Sequence, residues 1–359
     1  MKKPVSENAD FLISESRKHI STIFKLYFTE DSLAFREHYP KIENDPPEAY
    51  FWTMSALYSA IIQLEISADN DISNDPLIIL LEKVLERYWD SDRTPSAYQA
   101  QPVDICVENR FYDDNEWIGL DMLQMYRSTN NGHYLDRALE IAEFIISGSD
   151  DILDGGIYWC EQLRDTKNAC SNGPACLFFL ELYEITGNND YFVKGVEFYR
   201  WNIRHLRDED GLFVDNIKVD GSVDGKKYAY NTGVMIQAAV TLFRIDENEE
   251  YMSAAMRMAK GASIFFKTLS EDGHFECPDR MPWFMAVLLR GYEALMLITD
   301  NAEYAKELLE AVIYTCRNGR DNNGLIGNDF GHIDENASKW LLDQAAFVEM
   351  CARAARMGV

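Results

Sequence analysis

The sequence predicts an all-α fold, an (α/α)6 toroid of six helical hairpins in which residues 1–359 form one domain. Three observations carry that expectation. Apolar residues recur at helical spacing along the chain, the helical segments pair across short turns, and a glycine-centred loop returns at near-regular intervals.

In chain order, apolar residues fall at i, i+3, i+4 and i+7 over about twelve segments: 9–28, 48–66, 75–90, 114–129, 131–147, 172–187, 189–206, 231–245, 248–267, 281–298, 301–319 and 337–356. No convincing strand ladder appears, because the β-branched runs are short and scattered. Four short turns join members of pairs: Thr129-Asn130-Asn131-Gly132, Thr186-Gly187-Asn188-Asn189-Asp190, Asp246-Glu247-Asn248 and Thr299-Asp300-Asn301. Asn, Asp and Gly cap helices and tolerate left-handed backbone there. Longer loops follow the later pairs, among them Asp154-Gly155-Gly156-Ile157-Tyr158-Trp159 and Asp210-Gly211-Leu212-Phe213. Glycines Gly156, Gly211, Gly273 and Gly324 lie 55, 62 and 51 residues apart, as a repeat of one hairpin plus one loop requires.

Closing the hairpins into an inner and an outer ring buries the apolar faces and gathers the long loops at one mouth. An open helical solenoid is the competing arrangement, but it has no need of loops so rich in aromatic and polar residues. Inner helices should be apolar nearly all round and outer ones striped. Residues 282–297 therefore read as inner and 251–266 as outer.

Composition narrows the partners. Sixty acidic against 34 basic residues give a net charge of −26, which repels nucleic-acid phosphates and anionic lipid. The longest basic runs are Lys2-Lys3 and Lys226-Lys227, so no nucleic-acid partner is expected and a neutral ligand fits better. The first residues carry no apolar export segment, and no stretch approaches the roughly 18 apolar residues of a membrane span. The seven cysteines, Cys106, Cys160, Cys170, Cys176, Cys277, Cys316 and Cys351, contain no C-x-x-C spacing. They read as free thiols, which places the chain in a reducing cytoplasm.

The sharpest chemical feature is Asn109-Arg110-Phe111-Tyr112-Asp113-Asp114-Asn115-Glu116-Trp117, where a loop enters a helix. One Asp there is an ordinary N-cap, favoured by the helix dipole. Two in a row, flanked by Tyr112, Asn115 and Trp117, also suit glycoside hydrolysis. A retaining mechanism needs two carboxyl groups roughly 5–5.5 Å apart. Adjacent Cα atoms are about 3.8 Å apart, so slightly diverging neighbours span the gap. Like charges this close push one pKa upward and keep an acid protonated. Two carboxylates suffice for such a reaction, so neither metal nor cofactor is expected.

This segment resembles the Asp-Asp signature of glycoside hydrolase family 76, which contains the endo-α-1,6-mannanases, six-hairpin helical toroids. Further stretches resemble that family in order along the chain. They are Ala49-Tyr50-Phe51-Trp52, Gly155-Gly156-Ile157-Tyr158-Trp159, Lys167-Asn168-Ala169-Cys170-Ser171-Asn172-Gly173 and Tyr230-Asn231-Thr232-Gly233. The resemblance implies a retaining hydrolase of α-mannosides, α-1,6-linked mannan or manno-oligosaccharides, with Asp113 as nucleophile and Asp114 as general acid/base. It implies sugar subsites lined by Trp159, Asn168, Asn172, Tyr230 and Asn231, beside Tyr112 and Asn115. A departure is Met285-Ala286, where the family carries Lys-Gly. The missing lysine removes a charge from a predicted inner helix.

Competing accounts remain at this level. Trp159 can be core, and Asn172 and Asn231 can be helix caps. Sugar 2-epimerases share the toroid and use paired loop histidines, for which His274 and His332 are placed. Cys277 near His274 hints at zinc without a second cysteine beside them. A non-catalytic glycan binder would keep an aromatic mouth but has no reason to crowd two carboxylates. Asp215-Asn216, Asp279-Arg280 and Asp329 lie in or near mouth loops, where caps and surface ion pairs are the common roles of such groups.

Overall fold

The computed structural model describes residues 7–271, 273 and 275–358. It is all-α in its main elements. The helices are α1 (Glu7–Tyr27), α2 (Phe51–Ser67), α3 (Pro76–Glu86), α4 (Tyr112–Thr129), α5 (Gly132–Ser147) and α6 (Ala169–Thr186). They continue as α7 (Asn189–His205), α8 (Ala229–Asp246), α9 (Glu249–Phe265), α10 (Pro282–Thr299), α11 (Lys306–Asn318) and α12 (Leu341–Met357). Each coincides with a segment of apolar periodicity.

The described residues cluster into two compact units. One takes them from 1–86, 266–289 and 302–359, the other from 87–265 and 290–301. In the first, α2 runs against α12, α1 packs on α12, α3 on α2, and α11 on α12. In the second, α4, α6 and α8 lie side by side, with α5, α7 and α9 each covering the helix before it. A Cβ added at Gly119 would fall 2.8 Å from the Phe178 ring, so α4 and α6 approach as closely as a missing side chain allows.

Burial follows the expected alternation. Helix α8 is buried on almost every face, whereas α9 buries only the stripe Met252, Ala255, Met258, Ala259 and Ala262. Residues 285–293 of α10 are all buried. The short turns of the second unit are built alike. Asn130, Gly187 and Glu247 take left-handed backbone at φ 53°, 67° and 58°. Asn131, Asn188 and Asn248 then cap the next helix by accepting the backbone N–H groups of His133, Asp190 and Glu250. In the longer loops, Gly156, Gly211, Gly273 and Gly324 all have φ between 79° and 85°, a region costly for any residue with a Cβ.

Strands are more numerous than the sequence shows. A three-stranded antiparallel sheet joins Thr166–Asn168, Val214–Lys218 and Val223–Lys227. It pairs Asn168 with Asn216. Isolated bridges at Tyr158–Lys167 and Phe111–Cys160 extend the pairing to the loop before α4. The hairpin turns at Gly221 (φ 87°), where Lys218 N–H reaches Ser222 O at 2.8 Å. Asp220-Gly221 is a hairpin signal hidden among charged residues too polar to read as strand.

Buried carboxamides tie the loops to the helix starts. Asn115, fourth residue of α4, accepts Tyr98 N–H at 2.8 Å and donates to Tyr98 O at 3.0 Å and Phe111 O at 2.9 Å. Asn172, fourth residue of α6, does the same to Ile157 (2.7 and 2.9 Å) and Asn168 O (2.9 Å). In the first unit Gln344, fourth residue of α12, clasps Ile326 N–H and O at 3.0 and 3.1 Å. Each clasp satisfies two buried backbone groups at once. Asn172→Ala strands both and should lower the unfolding free energy by about 2–4 kcal/mol, read from urea titration.

Candidate active site

Two backbone runs assemble the site within the second unit. Residues 110–112 pair with 159–161: Tyr112 N–H donates to Trp159 O at 3.0 Å and Glu161 N–H to Arg110 O at 3.0 Å. Arg110 is fully buried; it bonds the Glu161 carboxylate and, at 2.8 Å, Pro95 O. Trp159 is thereby set beside the first turn of α4. Its ring lies 4.8 Å from Phe111, and its Nε1–H donates to Asp113 Oδ2 at 3.2 Å. The ring is 38% exposed, so Trp159 is a surface platform and not core.

Lys167 fixes the reverse side of that loop. Its buried ammonium bonds Asp150 Oδ1 at 2.7 Å and the carbonyls of Ile152 and Gly155 at 2.8 and 2.7 Å. Tyr158 O–H reaches the other Asp150 oxygen at 2.8 Å. Gly156 rests on Trp201, where a Cβ would fall 2.4 Å from the indole.

Asp113 and Asp114 are the second and third residues of α4, and neither caps it; the N-cap is Phe111. Both are half-buried, near the positive end of the helix dipole. Burial raises the Asp113 pKa to about 6, opposed by donors from Cys170, Trp159 Nε1–H and Asp114 N–H, the last at 3.1 Å from Oδ1. Burial pushes Asp114 well above the carboxylate range, and the Asp113 charge pushes it further, with no donor to counter either. The pair is therefore unequal. One carboxyl is equipped to be an anion and its neighbour to keep a proton.

Tyr230, in the first turn of α8, is buried beside Cys170, Asp215 and Asp113, and burial raises its pKa. Asn231 is fully buried, and neither side-chain polar atom has a protein partner. Asn168 is buried with its Oδ1 likewise unpartnered.

Three expected sugar contacts have other tasks. Asn115 and Asn172 spend their carboxamides on loop backbone, as described above, and do not cap helices. Tyr112 is fully buried, stacked on Phe144 at 4.6 Å, with its hydroxyl 3.4 Å from Arg164. A side chain closed to solvent and stacked on core cannot meet a sugar.

Two neighbours of the pair are given no role by the sequence. Cys170 is buried, and burial, then the Asp113 charge, hold its thiol well above the ordinary range. Glu116 is fully buried with both carboxyl oxygens unpartnered, and burial, then the Asp113 charge, hold its pKa well above 4.5. The signal for Glu116 was its i+3 spacing from Asp113, which stacks the two on one helix face.

The remaining sequence candidates divide between the two units. His332 is exposed, in the first unit, and His274 falls outside the described residues. Trp52 meets Trp283 and Trp340 edge-on at 5.2 and 5.6 Å in that same unit. Asp215, in the Val214–Lys218 strand of the second unit, is half-buried, and burial raises its pKa. Asp329 is structural: it accepts the backbone N–H groups of Cys277 and Phe330.

Comparison with known proteins adds the family. The profile of glycosyl hydrolase family 76 matches residues 13–357. The mannan endo-1,6-alpha-mannosidase DCW1 of Candida albicans is 26% identical over 238 residues, covering 62% of this chain and 50% of that protein. The chain spans about half the length of the curated relatives it matches. A family 76 glycoside hydrolase from a bovine Bacteroides thetaiotaomicron strain has TM-score 0.86 at 25% identity, over 96% of this chain and 77% of that one. The GH76A alpha-1,6-mannanase of Salegentibacter has TM-score 0.79 at 25% identity, over 96% and 99%. With its profile matched nearly end to end, the chain belongs to glycosyl hydrolase family 76.

Proposed function

We propose that this chain is a retaining glycoside hydrolase of α-mannosides, α-1,6-linked mannan or manno-oligosaccharides foremost. The observation that carries the reading is the unequal pair, with Asp113 provided with donors and Asp114 with none. The α-1,6 linkage is taken from the names of the Candida and Salegentibacter relatives.

Asp113 is the nucleophile in this reading. Its carboxylate attacks the anomeric carbon as the glycosidic C–O bond breaks, and the departing oxygen takes the Asp114 proton. Water then attacks the glycosyl ester. Asp114, now a carboxylate, takes the water proton and Asp113 is released. The pair carries one negative charge before, between and after the two steps. Trp159 gives the sugar ring a flat apolar face, while Tyr230, Asn168 and Asn231 supply polar groups around it. We place the activity in a reducing compartment, which the seven free cysteines support.

Asp113→Asn and Asp114→Asn should each cut kcat/KM on an α-1,6-mannobioside by at least about a thousandfold. The two are distinguished by a mannoside with a good leaving group. With it, Asp114→Asn still forms the glycosyl-enzyme and stalls, which intact mass spectrometry detects as one added mannosyl; Asp113→Asn adds nothing. Equal turnover by either variant and the wild type overturns the assignment.

Asp113 must be ionised to attack, so kcat/KM should rise as pH rises through about 6. The unpartnered Glu116 acts on stability instead. Its folded pKa lies above the unfolded value, so the folded state holds the extra proton and stability falls as pH rises from about 4.5. Glu116→Gln should therefore gain on the wild type between pH 4.5 and 7.5, measured by denaturant unfolding at both.

A further inference from the structure

The first unit holds an aromatic corner that the aspartate pair does not explain. Trp52, second residue of α2, meets Trp283 and Trp340 with ring planes at 89° and 90°. Perpendicular indoles do not close into a stacked layer, so flat faces are left along the corner. Trp52 and Trp340 are half-buried, while Trp283 is buried.

Paired backbone and one carboxylate hold these rings. The two-residue strands His38–Tyr39 and Lys339–Trp340 pair antiparallel, with His38 directly opposite Trp340. Cross-strand partners lie side by side, and the imidazole stacks on the indole at 5.9 Å and 22°. Glu37 fastens both sides of the corner. Its buried carboxylate accepts Trp340 Nε1–H, Tyr50 N–H at 2.8 Å and Thr53 O–H at 2.7 Å. Trp52 lies between the last two along the chain, so its backbone is fixed as well.

His38 is oriented by Asp45. Asp45 Oδ1 stands 2.6 Å from His38 Nδ1, and Oδ2 accepts Ile42 N–H at 2.9 Å. An ionised carboxylate only accepts, so Nδ1 carries the proton, and in the neutral ring Nε2 is left as an acceptor. That nitrogen has no protein partner among the described residues, and the side chain is 22% exposed. One turn on from Trp340, Asp343 is the third residue of α12. It is buried, and its Oδ1 also has no partner among the described residues. Buried polar atoms are seldom left so.

We propose that His38, Trp52 and Trp340 form a sugar-binding site in the first unit, one that takes a mannosyl residue of an α-1,6-manno-oligosaccharide. The indoles meet the C–H faces of the ring, and His38 Nε2 accepts from a hydroxyl. A sugar suits the corner because it offers apolar faces and neutral hydroxyls together, matching flat rings that carry a few fixed polar groups. The rings and the imidazole are held before any ligand arrives, which lowers the ordering cost of binding. The choice of sugar rests on the proposed function; the geometry of the corner does not.

The experiment titrates the whole chain, carrying Asp113→Asn so that sugar is not consumed, with α-1,6-mannotriose. Nitrogen-15 labelled indole N–H signals are followed by NMR. Trp52→Phe, Trp340→Phe and Trp159→Phe each delete one signal and so assign it. The Trp52 and Trp340 signals should move saturably. His38→Asn keeps an N–H for Asp45 but has no counterpart of Nε2. It should raise the Kd read at those two signals about three- to tenfold. Trp52→Leu should raise the Kd read at Trp340 by at least about tenfold. A histidine that only pins its loop would leave Kd unchanged in His38→Asn. Unmoved Trp52 and Trp340 signals, or an unchanged Kd in His38→Asn, overturn the site, whatever the Trp159 signal does. Saturable, His38-dependent shifts beside a wild type that releases no mannose or mannobiose sink the hydrolase reading and leave the site standing.

Discussion

The direction in which Asp113 and Asp114 point depends on the carboxamide of Asn115. That amide satisfies both backbone groups of Tyr98 and the carbonyl of Phe111, so the entering loop and the first helical turn are one hydrogen-bonded body. Without it, Tyr98 N–H, Tyr98 O and Phe111 O would lose this partner and the loop would be able to swing. Asn172 repeats the arrangement where the Trp159 loop meets α6. The paired runs 110–112 and 159–161 then join these two bodies, with Arg110 buried across them. The placement of the aspartate pair comes from backbone held by carboxamides in the first turns of α4 and α6.

Electrostatics works against this scaffold. Asp113, Asp114 and Glu116 are three carboxyls on one helical turn, all pushed upward by burial. Each such shift costs stability at neutral pH, because the unfolded chain ionises the same groups freely. In the proposed reaction that load keeps a proton where a leaving oxygen can take it. The distinction between two chemically identical neighbours is made by Trp159 Nε1–H and the Asp114 N–H, which both donate to Asp113.

Much of this was legible in the sequence. The twelve helical segments emerged from apolar spacing, and the glycine repeat marked loops whose left-handed backbone requires glycine. The Asp pair stood out because two carboxyls seldom crowd a helix start without cause. Buried amides were misread: Asn115 looks like a sugar contact and Asn172 like a sugar contact or a cap, since sequence cannot show that a loop backbone some 15 residues away needs a partner. Tyr112 was misread for the same reason, its polar hydroxyl hiding a ring stacked in the core. The three-stranded sheet escaped notice because its outer strand, Val223–Lys227, is mostly polar and exposed, lacking the apolar alternation that identifies strands.

The loop that carries Trp159 has a second indole beneath it. Trp201, on α7, donates its Nε1–H to Leu153 O at 2.9 Å and supports Gly156. Its flat face fills the space that a side chain at 156 would occupy. In the proposed enzyme, selection acting on the aspartates therefore extends to Trp201, which acts through the loop. Drift at Trp201 or Gly156 would lift the loop, carry the Trp159 indole off Asp113, and unbalance the two acids. Mutational tolerance on this helix should accordingly be uneven: permissive along its solvent stripe, and as narrow at position 201 as at the dyad itself.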